Sequence, residues 1–371
     1  MEKSNRLVLL DIIRAFGVVL MIEGHTVDAV LSPIYKDSSS LLFQLWTFCR
    51  GLTAPFFFFS AGLAFIVATV KSNGGMLAIS RRSKFRRSRR IAILLFLGYA
   101  LHMPLQILYN PSSVTADEWK VFSLVDALHV ISLSLLVILI ISLIARREKN
   151  LLRLLVAASV LSLVAAPLLE QVKWENFLQP VLYPYLTYRS GSYFTFFPFS
   201  AYLFAGAAFG AASISLPMHE RGRMLSRNFL RASLASITLF VVAFPIQTLF
   251  VSPESEFWRV LPAINFLRFG LITLAAAAIG YISLSFGRFP KIMPAIGRSS
   301  LTVYVVHLMI VYGSPINLGL YQLIPEGTNP FIAILLACVV ISLMVGMVYG
   351  IETYRSRKRR LAAIAVGETA E

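Results

Sequence analysis

Runs of about 20 apolar residues recur along the chain, at roughly 7–31, 43–70, 91–109, 122–145, 151–169, 193–216, 230–251, 262–286, 299–321 and 330–352. In hydrocarbon a backbone must satisfy its own N–H and C=O groups, and single runs of this length do so as helices. The expected fold class is therefore all-α: a polytopic membrane helical bundle with about ten transmembrane helices. Composition agrees, with 57% hydrophobic and 14% charged residues against about 25% charged in soluble domains.

The basic residues supply an orientation. Net charge is +16, a balance that elsewhere points to nucleic acid. Here the cations lie in short loops, where the positive-inside rule accounts for them and no nucleic-acid partner is implied. Of the 34 Lys and Arg, 26 fall in loops and tails of one parity, five in the opposite loops, and Arg14, Arg50 and Arg268 within spans. Both termini are thus expected to be cytoplasmic, in a multi-pass protein of a bacterial-type inner (plasma) membrane. Residues 1–354 read as a single transmembrane domain and 355–371 as a basic cytoplasmic tail. The first run is too long and too polar for a cleavable signal and reads as a retained helix. Cys49 and Cys338 sit in apolar spans and give neither a disulfide framework nor a metal site.

The first span carries Asp11, Arg14, Glu23 and His25. Each ionisable group inside a span costs at least a few kcal/mol, so each calls for a partner or a task. Arg14 and His25 are eleven residues apart, which places them within about 20° of one helix face and ~16 Å apart in depth. One face thus offers a cation toward the cytoplasm and an imidazole toward the outside. An imidazole at the outer interface suits a general base near neutral pH. Asp28, three residues on, is placed to orient the ring, as the carboxylate does in hydrolase triads. Arg14 has two readings: an ion pair with Asp11, or a fixed charge facing an anionic ligand or a developing oxyanion.

Further polar residues are candidates for binding. Arg50 and Arg268 are intramembrane cations expected to line a cavity. Asp126 and His129 are three apart and placed to pair; His102 and His307 also fall in spans, and His219 in a loop. The segment Lys71–Arg90 holds eight cations and no acid. It fits anionic membrane lipids or a phosphate-rich coenzyme held by Arg86, Arg87 and Arg90. The outer loop 170–192 carries Trp174, Tyr183, Tyr185 and Tyr188, aromatics that serve as interfacial anchors or as a stacking surface for a sugar. No P-loop, dinucleotide fingerprint, zinc spacing or nucleophile elbow occurs, so no metal is expected.

The opening RLVLLDIIRAFGVVLMIEGH (6–25) resembles the first helix of membrane-bound acyltransferases, whose Arg-x10-His spacing Arg14 and His25 match. RGLTAPFFFFSAGLAF (50–65) resembles the aromatic second helix of the same superfamily. The stretch Asp126–Ile131 and FPFSAYLFAGAAFG within 196–210 resemble the heparan-alpha-glucosaminide N-acetyltransferase catalytic domain. GRSSLTVYVVHLMIVYG (297–313) resembles a Ser…Tyr…His helix of related acyltransferases. The resemblance implies transfer of an acyl group, acetyl above all, from cytoplasmic acetyl-CoA to a hydroxyl or amine of an extracytoplasmic sugar or glycan; direct transfer is favoured over an acetyl-histidine intermediate. His25 carries over as the catalytic base and Arg14 as its partner; Asp28 joins them as a catalytic candidate on helix spacing alone. Arg50, Arg268, His307, Arg86, Arg87 and Arg90 are then candidates for the acyl-CoA, and Asp126, His129, Tyr188 and Trp174 for the acceptor. The competing reading is a proton-coupled or organic-anion transporter relaying through Arg14, Glu23, His25 and His307. The ordered motifs and the lack of a visible inverted repeat weigh against it. Small residues such as AGAAFGAAS (205–213) suit helix packing within one chain or between copies in a homo-oligomer.

Overall fold

A computed structural model describes residues 8–365 except 74–75, 105–109, 253–254, 287–288, 291 and 315–316. Lys3, Arg6, Arg288 and Lys291, four of the cations behind the expected orientation, lie outside the described residues. In chain order the α-helices are α1 (Val8–Val30), α2 (Leu41–Gly51), α3 (Thr53–Thr69), α4 (Arg81–His102), α5 (Ala116–Ser123), α6 (Ala127–Ile144) and α7 (Glu148–Glu170). They continue with α8 (Phe196–Ala212), α9 (Met218–Thr248), α10 (Pro262–Phe286), α11 (Ile292–Arg298), α12 (Ser300–Tyr312), α13 (Leu320–Leu323) and α14 (Pro330–Ala365). Strands among the described residues are confined to a short hairpin, Lys71–Asn73 with Met76–Ala78. The all-α expectation holds.

Helices stand at all ten expected places, but six segments are long and apolar enough to cross a membrane on their own: Leu41–Thr69, α6, α7, α9, Pro262–Ser285 and Pro330–Lys358. The other four fall short for identifiable reasons. The 23 residues of α1 are interrupted by Asp11, Arg14, Glu23 and Asp28. The first half of α4 is the basic run RRSKFRRSRR, and α8 has 17 residues. At 13 residues, α12 is only ~20 Å long against a hydrocarbon core of ~30 Å. It meets α11 at 80°, and the pair forms a broken span or a re-entrant loop. The basic residues after 354 continue the same helix, α14, as far as Ala365.

The chain divides into two compact units. One comprises Val8–Thr53 with Phe286–Glu371, the other chiefly Ala54–Ser285. In the first, α1 is the central element and packs on α11, α12 and α14. Ile13, Val18, Ile22 and Val30 are fully buried along it. Gly297, at the end of α11, abuts the Asp11 carbonyl oxygen so closely that a Cβ there would lie 2.0 Å from it. That contact sets the height at which the next helix begins against α1. At the other end of α1, the Thr328 amide donates to the Val30 carbonyl at 2.7 Å and closes the outgoing turn.

The second unit is built on aromatic packing, with Phe58, Phe59, Phe204 and Phe229 fully buried. Helices α3 and α8 touch backbone to backbone. A Cβ at Gly62 would sit 1.9 Å from the Leu203 carbonyl oxygen, and one at Gly206 the same distance from that of Phe59. The small residues in AGAAFGAAS thus serve packing within the chain. The loop from α7 to α8 is fastened by buried Glu170, whose carboxylate accepts from Thr187 Oγ1 at 2.9 Å and the Tyr188 amide at 3.0 Å.

Candidate functional site

Arg14 and His25 both turn toward α12. Arg14 Nη2 donates to Ser300 Oγ at 2.5 Å, and His25 Nδ1 lies 3.0 Å from Tyr312 Oη. The two rungs rise in the same order on both helices, so α1 and α12 run parallel. The second rung lies ~16 Å beyond the first along α1. Arg14 is thus anchored on Ser300, well along α1 from the His25 rung.

Beneath His25 lies a second imidazole. The His25 and His307 ring centroids are 5.5 Å apart, and Tyr304 meets His307 edge-on at 5.8 Å. His307 is fully buried. Its Nδ1 lies 2.8 Å from the Val303 carbonyl, which can only accept, so Nδ1 carries the proton and Nε2 is the bare nitrogen. That Nε2 has no hydrogen-bond partner among the described residues.

Asp28 does not orient His25 as expected. Its carboxylate holds Arg50 Nη1 at 2.6 Å and has Lys36 Nζ at 3.9 Å. Adjacency on one helix placed Asp28 near the ring, but a cation from α2 outcompetes a neutral imidazole for a carboxylate, and the ring takes the Tyr312 hydroxyl instead. Arg50 also lies over Trp46, 5.2 Å from the ring centroid, and Trp46 Nε1 donates to Glu23 Oε1 at 2.9 Å. Gly24 makes room for this arrangement, since a Cβ there would come within 2.9 Å of Arg50 Cγ. Arg50 is thus a fixed cation close enough to act electrostatically on His25, held by α1 and by Trp46.

The acceptor candidates lie in the other unit and divide into two groups. Asp126 caps α6: its Oδ1 accepts from the Leu128 amide at 2.9 Å, the His129 amide at 3.2 Å and His129 Nδ1 at 2.7 Å. The expected pair therefore exists. His129 is fully buried, and its Nε2 has no hydrogen-bond partner among the described residues. Tyr99 stands edge-on to the ring at 4.3 Å and shares a 3.0 Å hydrogen bond with Tyr185. Burial, then that bond, push the Tyr185 phenol upward. His102 is satisfied within its own helix by the Gly98 carbonyl at 3.1 Å.

Tyr188 belongs to the second group, whose members no local spacing links. Burial raises its phenol to about 12, against the opposing charges of Arg268 and Arg259. The buried Tyr202 hydroxyl donates to Asn265 Oδ1 at 2.7 Å, and Arg268 lies three residues beyond Asn265 on α10. Trp174 has a structural task, because its indole N–H donates to the Leu169 carbonyl at 2.8 Å near the end of α7. In α4, Arg87 Nη2 donates to the Ala68 carbonyl at 2.9 Å and lies over Phe65, while Arg86 and Arg90 are exposed. Burial first, then neighbouring Arg90 and Arg86, lower the Arg87 pKa.

Sequence reasoning missed Tyr312, which lies in the quoted 297–313 motif but carries no charge to draw notice. It also missed Glu170, Tyr202 and Asn265, whose roles come from contacts across the fold. The family model for the heparan-alpha-glucosaminide N-acetyltransferase catalytic domain matches residues 6–238. No curated protein matches the chain. The match takes in α1 with Arg14 and His25, and ends before α12. It covers more than half of the 371 residues, and the chain belongs to that family.

Proposed function

We propose that this member of the family is a transmembrane acetyltransferase that moves the acetyl group of cytoplasmic acetyl-CoA to a hydroxyl or amine of a carbohydrate acceptor on the other face of a bacterial-type cell membrane. The reading takes the ten helical places as ten spans, with both termini cytoplasmic. The observation that carries it is the pair of rungs on α1 and α12, Arg14–Ser300 and His25–Tyr312. They put a fixed cation and an orientated imidazole at two depths of one helix pair. Arg14 meets the anionic end of the donor. The extended pantetheine arm bridges the ~16 Å to His25, so the thioester reaches the acceptor side without the coenzyme crossing.

In the acting tautomer, His25 Nδ1–H donates to Tyr312 Oη and leaves Nε2 bare. Nε2 takes the proton as the acceptor oxygen or nitrogen attacks the thioester carbonyl. When the carbon–sulfur bond breaks, the coenzyme leaves as a thiolate and recovers that proton. The products are the acetylated acceptor and free thiol, with no acetyl-histidine between. Arg50, whose charge acts on His25, stabilises the oxyanion of the tetrahedral intermediate, where a preorganised charge is most effective. Asp28, Gly24 and Trp46 hold it in place.

The test uses purified protein, labelled acetyl-CoA and a panel of amino sugars and polyols. Acetylated product and free coenzyme are expected from wild type and not from His25→Ala. Turnover unchanged in that variant would refute the assignment of His25. Label entering vesicles without release of coenzyme would refute the transferase reading in favour of transport.

A further inference from the structure

Helix α12 starts at the sharp break from α11, and its first turn carries more positive character than its neighbours cancel. The first amides of an α-helix lack intrahelical acceptors and hold a partial positive charge. Arg14 is anchored at that same end, donating to Ser300 Oγ at 2.5 Å on the first residue of the helix. A cation beside a helix N-terminus is electrostatically unfavourable, because cations suit C-termini. Arg298, two residues before Ser300, and Arg355 of α14 share one carboxylate, Glu352, at 3.0 and 3.3 Å. Asp11, three residues before Arg14 on α1, is buried, and its carbonyl abuts Gly297. Three guanidiniums are thus set against two carboxylates, before the helix end is counted.

The residue placed to cap this terminus does not cap it. Serine is a preferred N-cap because its hydroxyl oxygen accepts from a first-turn amide. Ser299 holds the N-cap position of α12 without such a bond. Its side chain is buried, at 5% exposure, and its Oγ has no hydrogen-bond partner among the described residues. Leaving a buried hydroxyl unsatisfied is costly, so the position asks for an acceptor that the neighbouring chain does not supply. Ser300 Oγ accepts from Arg14 and keeps its own proton to donate. Two hydroxyl protons, the first-turn amides and the remaining N–H groups of Arg14 therefore meet at one helix end. That end is open on one side, with Arg14 and Arg298 part-exposed and Thr302 exposed. Donors grouped in this way at a helix N-terminus form an anion site, and a phosphate, with several acceptor oxygens, engages the most of them.

We infer that Ser299, Ser300 and the first-turn amides of α12, together with Arg14, form a phosphate site that holds the diphosphate of the acyl donor. That the phosphate belongs to the donor rests on the proposed function, in which Arg14 meets the anionic end of acetyl-CoA and the arm spans the ~16 Å to His25. The site and the path of that arm lie on α1 and α12, within one unit. The phosphate chemistry itself does not depend on acetyl transfer.

The experiment measures binding to the full chain in phosphatidylcholine nanodiscs, with coenzyme A and inorganic diphosphate as probes and pantetheine as the phosphate-free control. Coenzyme A and diphosphate are expected to compete, and pantetheine to bind more weakly than coenzyme A. Ser299→Asp is the decisive variant. A carboxylate there is a good N-cap for α12 but repels phosphate. The thermal midpoint should hold or rise while both phosphate ligands lose about tenfold or more in affinity. Ser299→Ala should cost both about threefold or more, Ser299→Thr should keep the affinity, and pantetheine should not respond to any of these changes. Unchanged coenzyme A affinity in Ser299→Asp overturns the site. So does a loss that extends equally to pantetheine, which makes the role of Ser299 structural. Diphosphate that coenzyme A cannot displace overturns the assignment to the donor. So does thermal stabilisation that depends on Ser299 and appears only when phosphatidylglycerol replaces phosphatidylcholine, which gives the site to a lipid headgroup. Should Ser299→Asp not fold, Ser299→Ala carries the test: the stated loss supports the site and no loss refutes it. Absence of acetyl transfer in every assay would sink the proposed function and leave these binding results standing.

Discussion

Tyr312→Phe removes one oxygen atom and asks whether that atom orients His25. The Tyr312 hydroxyl lies 3.0 Å from His25 Nδ1, and on the other side the ring rests against His307 at 5.5 Å. Loss of the hydroxyl therefore leaves the imidazole in place but releases its tautomer. A neutral hydrogen bond has a net worth of about 0.5–1.5 kcal/mol. At about 1.4 kcal/mol per decade, the acetyl-transfer rate should fall about 2- to 13-fold. The loss belongs in kcat, with KM for acetyl-CoA unchanged, because the bond acts on the base rather than on the donor. Asp28→Asn is the companion variant. If Asp28 were the orienting carboxylate of a triad, its loss should cost ~10⁴-fold. Since Asp28 instead holds Arg50 at 2.6 Å, the cost should be that of a less firmly placed cation, about 10- to 100-fold. Steady-state rates of both variants decide the matter. Wild-type kcat in Tyr312→Phe together with a loss above ~10³-fold in Asp28→Asn would refute the orientation argued here.

Three further outcomes are expected. Ser300→Ala removes the acceptor of the 2.5 Å bond from Arg14; a bond to a charged donor is worth about 1.5–3 kcal/mol, and calorimetric affinity for coenzyme A should fall. Gly297→Ala puts a Cβ 2.0 Å from the Asp11 carbonyl oxygen, where only backbone can yield, so a loss of about 1–3 kcal/mol should appear as a lower thermal midpoint and reduced activity. Asp126→Ala deletes the acceptor of two α6 amides and of His129 Nδ1; the cap alone costs about 1–2 kcal/mol, and Asp126→Asn, which can still accept from the amides, should recover most of the thermal midpoint.

Elements that announce themselves by local chemistry were legible in the chain. The face shared by Arg14 and His25 follows from helical rise and rotation, and the pairing of Asp126 with His129 from a spacing of three. The helix positions followed from apolar runs, but run length did not reveal that α12 stops after 13 residues. Gly313 ends it with φ +86°, a turn that the apolar residues on either side conceal. Asp28 shows where adjacency fails: the deciding partner, Arg50, arrives from another helix. The bond from Tyr202 to Asn265 joins α8 to α10, and no periodicity in the sequence encodes that meeting.

The rungs between α1 and α12 also have a consequence for synthesis. Arg14 and Ser300 are 286 residues apart, and His25 and Tyr312 are 287 apart. At a ribosomal rate of ~5–20 residues per second, the first helix waits roughly 15–60 s before its partner emerges. During that interval a segment bearing Asp11, Arg14, Glu23 and His25 has no α12 to turn toward. Such a segment calls for shelter by the insertion machinery or a shallow place at the bilayer surface, so the residues proposed to do the chemistry also make the nascent chain dependent on its own last third.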